Sequence, residues 1–175
     1  HTDSSAASDV YKRQALNAIG QMRLQLGKTY LPIINGEYTN TAQMVDSVNP
    51  SNPKEVIGRI GLISVEEAEQ AIQAAKAAFP GWKKTPIRER TRILHKAADL
   101  MEKRRHELAA WMVLEVGKPL NQGNAEVSEA IDFCRYYADE MERLEDGYKY
   151  DVAGETDRYC YQPVSYTHLR AHETS

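Results

Sequence analysis

The stretch that decides the fold reads Glu115-Val-Gly-Lys-Pro119, then Glu126-Val-Ser-Glu-Ala-Ile-Asp-Phe-Cys-Arg-Tyr-Tyr-Ala138. The end of one helix is predicted at Gly117-Lys118-Pro119. Glycine suits the left-handed cap, lysine can interact with the last carbonyl groups, and proline cannot continue the helix. The next apolar residues recur at spacings of three and four, and they are Val127, Ala130, Ile131, Cys134, Tyr137, Met141 and Leu144. This spacing predicts a second, longer helix from Asn121 to Leu144.

Upstream of the long helix three helices are predicted, and the last of them is the one that ends at Gly117. Ser64 with Glu67 forms a capping box, which predicts a helix beginning after Ser64 and ending at Pro80-Gly81. Its apolar face is Val65, Ala68, Ile72, Ala75 and Phe79. Pro86 suits the first turn of the next helix, whose apolar residues are Ile93, Leu94, Ala97, Leu100 and Met101. A third helical run covers Glu107 to Val116.

The residues before Ser64 predict a small antiparallel β unit. Leu31 to Ile34 is extended and enters Asn35-Gly36, the strongest two-residue signal for a hairpin. Met44 to Val48 and Glu55 to Leu62 are predicted strands, separated by a segment whose prolines, Pro50 and Pro53, stop both helix and ladder. A weak amphipathic helix from Ala15 to Leu26, ended by Gly27, precedes them.

The C-terminal pattern turns at Asp146-Gly147 and ends in a strand from Arg158 to Tyr161. The order is therefore β-hairpin elements, about four helices and a strand, with no strands for a parallel sheet. Helices with one apolar face need a further layer to pack against. We therefore expect an incomplete α/β fold.

Composition excludes several classes of protein. With 175 residues, 42% hydrophobic and 27% charged, the chain has the composition of a soluble globular protein with one core. A net charge of −3 favours neither nucleic acid nor an anionic membrane as partner. There is no apolar run of membrane-spanning length and no secretory signal, and two cysteines make no disulfide scaffold. We expect a cytoplasmic location.

Both ends of the chain look like translated adapter sequence left in assembled sequence data. The division expected is 1–14 non-native or disordered, 15–163 one truncated N-terminal part of a larger domain, and 164–175 non-native or disordered. His168 and His172 then carry no functional weight.

Several chemical motifs fail by one or two residues. Gly27-Lys28-Thr29 lacks the earlier glycine of a phosphate-binding loop, since Met22 stands there, and His106-Glu107 lacks the second histidine of a zinc-protease helix, since Ala110 stands there. His95 and His106 are predicted to be solvated helix residues. No dinucleotide-binding glycine fingerprint and no metal site are predicted.

Three single residues are candidates for a functional role: Cys134, Cys160 and Glu129. Cys134 lies on an apolar helix stripe, where a thiol is buried and inert, and Cys160 is expected to pack in the same way. Glu129 lies beside apolar Ala130 and Ile131; its spacing alone favours a solvated charge at the edge of a helix over a role at a site.

In order and spacing, residues 28 to 163 resemble the N-terminal part of the aldehyde dehydrogenase superfamily. The matching pieces are Ile34 to Glu37, Val48 to Gly58, Ala74 to Trp82, Arg90 to Ala98, Glu115 to Pro119 and Glu126 to Ala138. Within the superfamily, Glu129 to Ala138 and Leu144 to Gly147 are most similar to the L-glutamate γ-semialdehyde (1-pyrroline-5-carboxylate) dehydrogenases. Ala15 to Tyr30 resembles the linker of bifunctional proline-utilisation proteins, in which a proline dehydrogenase domain precedes this unit.

The resemblance implies oxidation of L-glutamate γ-semialdehyde to L-glutamate by NAD in proline catabolism. In the family a cysteine attacks the aldehyde, amide donors hold the oxyanion and a glutamate activates water. These groups lie downstream of Pro163, so no catalytic or cofactor-binding residue is assigned, and the chain alone is predicted to be inactive and to bind NAD negligibly. The one residue carried over is Glu129, whose family counterpart lines the tunnel through which the aldehyde reaches the active site.

The resemblance also implies that Arg158 to Tyr161 joins an oligomerisation sheet, so that the parent protein is a homo-oligomer. Two alternatives stay open: an aldehyde dehydrogenase for another aldehyde, and a helical interaction module without chemistry.

Overall fold

A tight hairpin near the N-terminus follows directly from two residues. The structure, a computed structural model, describes residues 3–161. Asn35 and Gly36 have φ values of 54° and 82°, as a type I′ turn requires, and they join β2 (Ile33–Ile34) to β3 (Glu37–Tyr38) in antiparallel register. The hairpin predicted from Asn-Gly is confirmed, although its strands are shorter than expected.

The main sheet is mixed, so the prediction of a purely antiparallel unit without parallel strands is wrong. Its order is β1-β5-β4, with β4 (Gln43–Asn49) antiparallel to β5 (Asn52–Leu62). The strand β1 (Lys28–Tyr30) pairs parallel to β5, with Tyr30 opposite Ile60. The three residues of β1 carry no alternating pattern, which is why the sequence placed the strand at Leu31 instead.

The prediction that Pro53 stops the β-ladder is wrong, because Pro53 lies inside β5. Asn49 pairs with Asn52, whereas Val48 already pairs with Val56, so the residues around Pro53 bulge out of the register. A proline without an N–H group is tolerated there because a bulge leaves its neighbours unpaired.

Five helices occur among the described residues. They are α1 (Asp3–Arg23), α2 (Val65–Lys84), α3 (Ile87–Lys103), α4 (Arg105–Val116) and α5 (Leu120–Arg143). The helix α1 begins at Asp3, well before Ala15, so the segment from Asp3 to Gln14 is helical; its origin stays a matter of prediction. No helix of the described part is long and apolar enough to cross a membrane.

The end of α2 differs from the prediction. Pro80 and Gly81 lie within the helix, which ends at Lys84 and is capped by the N–H of Thr85. Pro80 removes one hydrogen bond without ending the helix. Pro86 takes the N-cap position of α3.

The core has two parts, and α4 contributes to both. Towards the N-terminal unit, Ala110 and Leu114 pack with Met22 of α1 and Ile57 of β5. Towards the other helices, Ala109 packs with buried residues of α3 and α5, namely Ala98, Val127 and Ile131. The helix α4 is therefore the link between the β unit and the α3–α5 pair.

Other predicted apolar faces are uncovered. The helix α2 buries no residue, and Val65 is 82% exposed. On α3, Ile93, Leu94 and Leu100 are exposed, whereas Ala98 and Thr91 face the core. The core side of α3 is thus rotated away from the stripe that the sequence predicted.

The described chain ends in a second hairpin. The strands β6 (Tyr148–Val152) and β7 (Glu155–Tyr159) pair antiparallel in a sheet of their own, with Tyr148 opposite Tyr159. The sequence predicted only the second of these strands, and it placed that strand at Arg158 to Tyr161 instead of Glu155–Tyr159. The predictions for 164–175, including His168 and His172, lie outside the described residues.

Candidate functional site

The helix α5 carries the residues that the sequence singled out, and polar contacts with α3 fix its orientation. Thr91 Oγ donates to Glu142, and His95 Nε2 lies 3.1 Å from Asp139 Oδ1. Further along, Arg135 reaches Asp99 at 3.1 Å. These three pairs follow one another along the antiparallel helices α3 and α5. Together they fix the rotation of α5 about its own axis relative to α3.

Past the end of α3, two further contacts involve Arg105. Its guanidinium donates to Ser128 Oγ at 2.6 Å and to Glu102 at 2.8 Å. Sequence reasoning missed the long-range pairs, such as Arg105 with Ser128, because their members are distant in sequence and become neighbours only when the helices pack.

The outer face of α5 presents Glu129 beside an aromatic cluster. Phe133, Tyr136 and Tyr137 follow Glu129 by four, seven and eight residues, so all four lie on one side of the helix. The ring centroids of Phe133 and Tyr137 are 5.8 Å apart, and those of Tyr136 and Tyr137 are 5.3 Å apart and edge-on. Glu129 and all three rings are exposed. This face can offer stacking surfaces and one carboxylate to a ligand or to a covering segment.

Tyr137 is therefore misplaced in the predicted apolar stripe. It is 60% exposed, whereas the neighbouring Ala138 is fully buried. The buried side of α5 contains Gly123, Val127, Ile131 and Ala138, and Tyr137 lies outside it.

The helix stop at Gly117 is confirmed, with one change in the role of Lys118. Gly117 has φ 71° and ψ 23°, and the Lys118 N–H donates to the Met112 carbonyl at 3.3 Å. The Lys118 ammonium contacts the Glu126 carboxylate of α5 instead of the helix carbonyl groups. Lys118 thus joins α4 to the first turns of α5.

The two cysteines and the two histidines of the helices differ in their surroundings. Cys134 is half-buried against the core of α3, α4 and α5, which supports a packing role, whereas Cys160 is exposed and follows β7. His95 is not simply solvated, because it contacts Asp139, and His106 is half-buried. In residues 3–161, no three histidine, cysteine, aspartate or glutamate side chains are grouped to hold a metal ion.

A cavity of about 330 Å³ lies between the main sheet and α4. It is lined by Tyr30, Ser47, Ile57, Gly58, Ile60, Trp111 and Glu115. Its one charged group, Glu115, accepts a hydrogen bond from Ser47 Oγ at 3.2 Å. Gly58 offers no cradle for a phosphate, since a Cβ atom there would lie 2.8 Å from the Tyr30 ring. The lining contains no basic side chain that could bind the pyrophosphate of NAD.

A second cavity, of about 240 Å³, lies between α2, α3 and Met141 of α5. The Arg90 guanidinium lies 5.9 Å from the centre of the Trp82 ring, and its Nε is buried without a hydrogen-bond partner among the described residues. Neither cavity contains Glu129, so the cavities and the aromatic face of α5 are separate features.

Comparison with known proteins gives one consistent family. The sequence profile described as "Aldehyde dehydrogenase family" matches residues 38–168. The 1-pyrroline-5-carboxylate dehydrogenase of Geobacillus thermodenitrificans (strain NG80-2) is 40% identical over 157 residues, which cover 89% of this chain and 30% of that protein. The chain therefore spans less than a third of the length of the curated relatives it matches.

Solved structures agree with this match. Proline utilization A from Bdellovibrio bacteriovorus superposes with a TM-score of 0.81 at 35% identity, over 88% of this chain and 16% of that one. The 1-pyrroline-5-carboxylate dehydrogenase from Thermus, solved with bound NAD, has a TM-score of 0.73 at 38% identity, over 89% of this chain and 28% of that one. The elements seen here thus correspond in arrangement to one part of those larger molecules.

Proposed function

Because this chain belongs to the aldehyde dehydrogenase family, we propose that it is the N-terminal part of an NAD-dependent dehydrogenase that oxidises L-glutamate γ-semialdehyde to L-glutamate in proline catabolism. The observation that carries this proposal is the 40% identity over 157 residues to a 1-pyrroline-5-carboxylate dehydrogenase. Since the match covers 30% of that relative, the substrate, NAD and the activity belong to the longer protein. No step of the reaction is assigned to residues 3–161.

Glu129 is the residue of this chain that we place beside the aldehyde. It is exposed on α5, one turn before Phe133, and its carboxylate forms no ion pair within the described residues. A carboxylate left unpaired beside aromatic rings is available to orient a polar substrate as it enters. Its role is to position the substrate, so its loss should act on KM more than on kcat.

A chimera tests both claims. Residues of this chain replace the matching region of the Geobacillus thermodenitrificans enzyme, and NADH formation is measured with L-glutamate γ-semialdehyde and with simple aliphatic aldehydes. We expect kcat/KM to favour the semialdehyde. Equal or better use of the simple aldehydes would point to the alternative, a dehydrogenase for another aldehyde.

In the same chimera, Glu129→Gln should raise KM for the semialdehyde about tenfold, as expected for loss of one charge-assisted contact of about 1.4 kcal/mol. Asp132→Asn is the matched control, because Asp132 is an exposed acid one turn along the same helix, and it tests whether any negative charge on this face has the same effect. An unchanged KM for Glu129→Gln, or an equal effect in the control, contradicts the assignment of Glu129 while leaving the family activity intact.

We also propose that the longer protein is a homo-oligomer and that the C-terminal hairpin takes part in its assembly. Every residue of β7 is exposed, and β6 and β7 form a two-stranded sheet whose outer edges are unpaired within the described residues. Such edges are templates for pairing with another chain. An isolated two-stranded hairpin is also only marginally stable in water, so a partner would stabilise it.

A further inference from the structure

Asn35 differs from every other asparagine of this sequence because glycine follows it. The backbone nitrogen of the residue after an asparagine can attack the side-chain amide, and a side chain on that residue obstructs the attack. Glycine has no side chain, so the attack on Asn35 is unobstructed. The remaining asparagines precede larger residues or proline, and they are Asn17, Asn40, Asn49, Asn52, Asn121 and Asn124. Those before proline cannot react in this way, because proline has no N–H group.

The turn between β2 and β3 leaves both reacting groups of Asn35 and Gly36 available. Both residues are exposed. Among residues 3–161, the Asn35 side chain has no hydrogen-bond partner and the Gly36 N–H finds no acceptor. A Cβ atom built on Gly36 would have no atom within 4 Å, so the turn is open to solvent. Neither the side-chain amide nor the backbone nitrogen is therefore withheld from reaction.

The comparable turn at Asp146-Gly147 is protected by its surroundings. There the Gly147 N–H donates to the Leu144 carbonyl at 3.0 Å, so the nitrogen is already engaged. A Cβ atom built on Gly147 would collide with the Tyr159 carbonyl oxygen, which shows how closely the chain passes this glycine. Movement of the nitrogen towards the Asp146 side chain would break the hydrogen bond. Of the two turns, the structure therefore leaves Asn35-Gly36 reactive.

The hairpin that holds Asn35 is small enough to open. The strands β2 and β3 have two residues each, and within the described chain they pair with each other alone. Their apolar side chains add little, since Ile33 is 61% exposed and Tyr38 is 75% exposed. A two-stranded hairpin of this kind is marginally stable in water. Each opening releases Asn35 from its φ of 54° and lets the Gly36 nitrogen reach the side-chain carbon.

We propose that Asn35 is a site of spontaneous deamidation, and that the isoaspartate formed there opens the β2–β3 hairpin. The Gly36 nitrogen forms a bond to Asn35 Cγ, the bond from Cγ to Nδ2 breaks, and ammonia leaves with the Gly36 proton. Water then opens the cyclic imide, either at Cγ to give aspartate or at the backbone carbonyl carbon to give isoaspartate. Water is the sole co-reactant. The chain gains one carboxylate, so its net charge changes from −3 to −4.

Isoaspartate at position 35 is incompatible with the turn. It adds one methylene group to the backbone, whereas a type I′ turn joins its strands through two residues of positive φ. The pairing of Ile34 with Glu37 and the hydrogen bond from the Thr39 N–H to the Pro32 carbonyl, 2.9 Å long, depend on that turn. Both should be lost in the isoaspartate form. This consequence does not depend on the proposed enzymatic activity.

The test follows the 175-residue chain during incubation in mildly alkaline buffer. Trypsin releases residues 29–54 as one peptide, and its fragment masses locate the converted residue among Asn35, Asn40, Asn49 and Asn52. Asn35 should convert about tenfold faster than Asn40, which corresponds to a barrier lower by about 1.4 kcal/mol. Enzymatic methylation of isoaspartyl groups should label position 35.

Two variants separate the chemistry from its effect on the hairpin. Asn35→Gly has no amide to lose, and Gly-Gly also suits a type I′ turn. Asn35→Asp carries the charge of the product without the extra methylene group. Amide hydrogen exchange at Thr39 should be slow in the wild type and in both variants, and fast in the isoaspartate form after its chromatographic separation. The proposal is overturned if Asn35 converts no faster than Asn40, if the isoaspartate form keeps the protection of Thr39, or if Asn35→Asp loses that protection to the same extent.

Discussion

At the scale of single residues, the junction between α4 and α5 depends on a glycine. Gly117 has φ 71°, and a Cβ atom built on it would lie 2.9 Å from Pro50 Cγ in the turn between β4 and β5. That turn is itself fixed by the buried Asn49, whose amide donates to Glu55 at 2.6 Å and whose carbonyl accepts from the Ser51 N–H at 2.9 Å. The left-handed cap and the close approach of proline both require glycine.

Gly117→Ala should therefore lower the free energy of unfolding by about 1–3 kcal/mol, since a left-handed non-glycine residue and a tight contact are both introduced. Chemical denaturation followed by circular dichroism measures the change. Gly20→Ala is the control, because Gly20 lies inside α1 and no atom is within 4 Å of the added Cβ. This variant should have a free energy of unfolding higher by about 0.5–1 kcal/mol. Equal effects at the two positions would show that the conformation of Gly117 is not the cause.

Glu107 gives the molecule an acid-sensitive contact. The Arg104 guanidinium donates to its carboxylate at 2.8 Å, and this hydrogen bond holds the pKa of Glu107 below its usual range. A lowered folded-state pKa contributes stability that is complete above the unfolded pKa, about 4.3, and is lost as the pH falls through the folded value.

Glu107→Gln should therefore reduce the slope of the free energy of unfolding against pH below about pH 4.3. Near neutral pH the slope should be almost unchanged. Urea midpoints across the acidic range measure this slope. Glu37→Gln is the comparison, since Glu37 is an exposed acid of the β2–β3 hairpin without an ion pair in the described chain. An unchanged acid slope in Glu107→Gln would show that the Arg104 contact does not persist in solution.

At the scale of elements, α2 shows how local signals can be sufficient for a boundary. The Ser64 hydroxyl accepts from the Glu67 N–H at 3.1 Å, and the Glu67 carboxylate accepts from the Ser64 N–H at 2.7 Å. Both bonds were predicted from Ser-Val-Glu-Glu, because each joins residues three apart. The prediction for the other end of the same helix was wrong. Pro80 lies inside α2, and the turn after it is closed by the Thr85 N–H, which donates to the carbonyl groups of Gly81 and Trp82.

Ser64→Ala should lower the free energy of unfolding by about 1 kcal/mol through loss of the cap. Because α2 buries no residue, the effect should appear as fraying of its first turns in amide hydrogen exchange. Ser51→Ala is the control, since the Ser51 hydroxyl makes no hydrogen bond within the described chain. Unaltered exchange at Val65 to Ala68 in Ser64→Ala would contradict the capping role.

At the scale of the whole molecule, the described part has two small cores joined through α4 and large uncovered faces. Val65 of α2, Ile93 of α3 and the rings of α5 are exposed together. This agrees with a chain that spans under a third of its relatives' length.

The 175-residue chain should show no NAD+ binding in titration calorimetry at micromolar concentrations and no aldehyde oxidation. The larger cavity carries the Glu115 carboxylate, and the Tyr30 ring lies close to Gly58 in its wall. This cavity therefore presents no cradle for a phosphate. The NAD-bound Thermus relative, whose matching segment is 28% of its chain, is the positive control. Micromolar binding by this chain would show that its own residues hold the cofactor.

What the sequence alone determined is local in range. The Asn35-Gly36 turn, the Ser64 cap, the Gly117 stop and the long α5 helix depend on residues within a few positions of each other, and the order of such pieces also indicated the family. Only the tertiary structure decided that β1 pairs parallel to β5, that α3 turns Ala98 inward and that Tyr137 lies outside. These depend on which distant surfaces meet, because burial and interhelical pairs such as Thr91 with Glu142 arise from packing and leave no periodic signal in the chain.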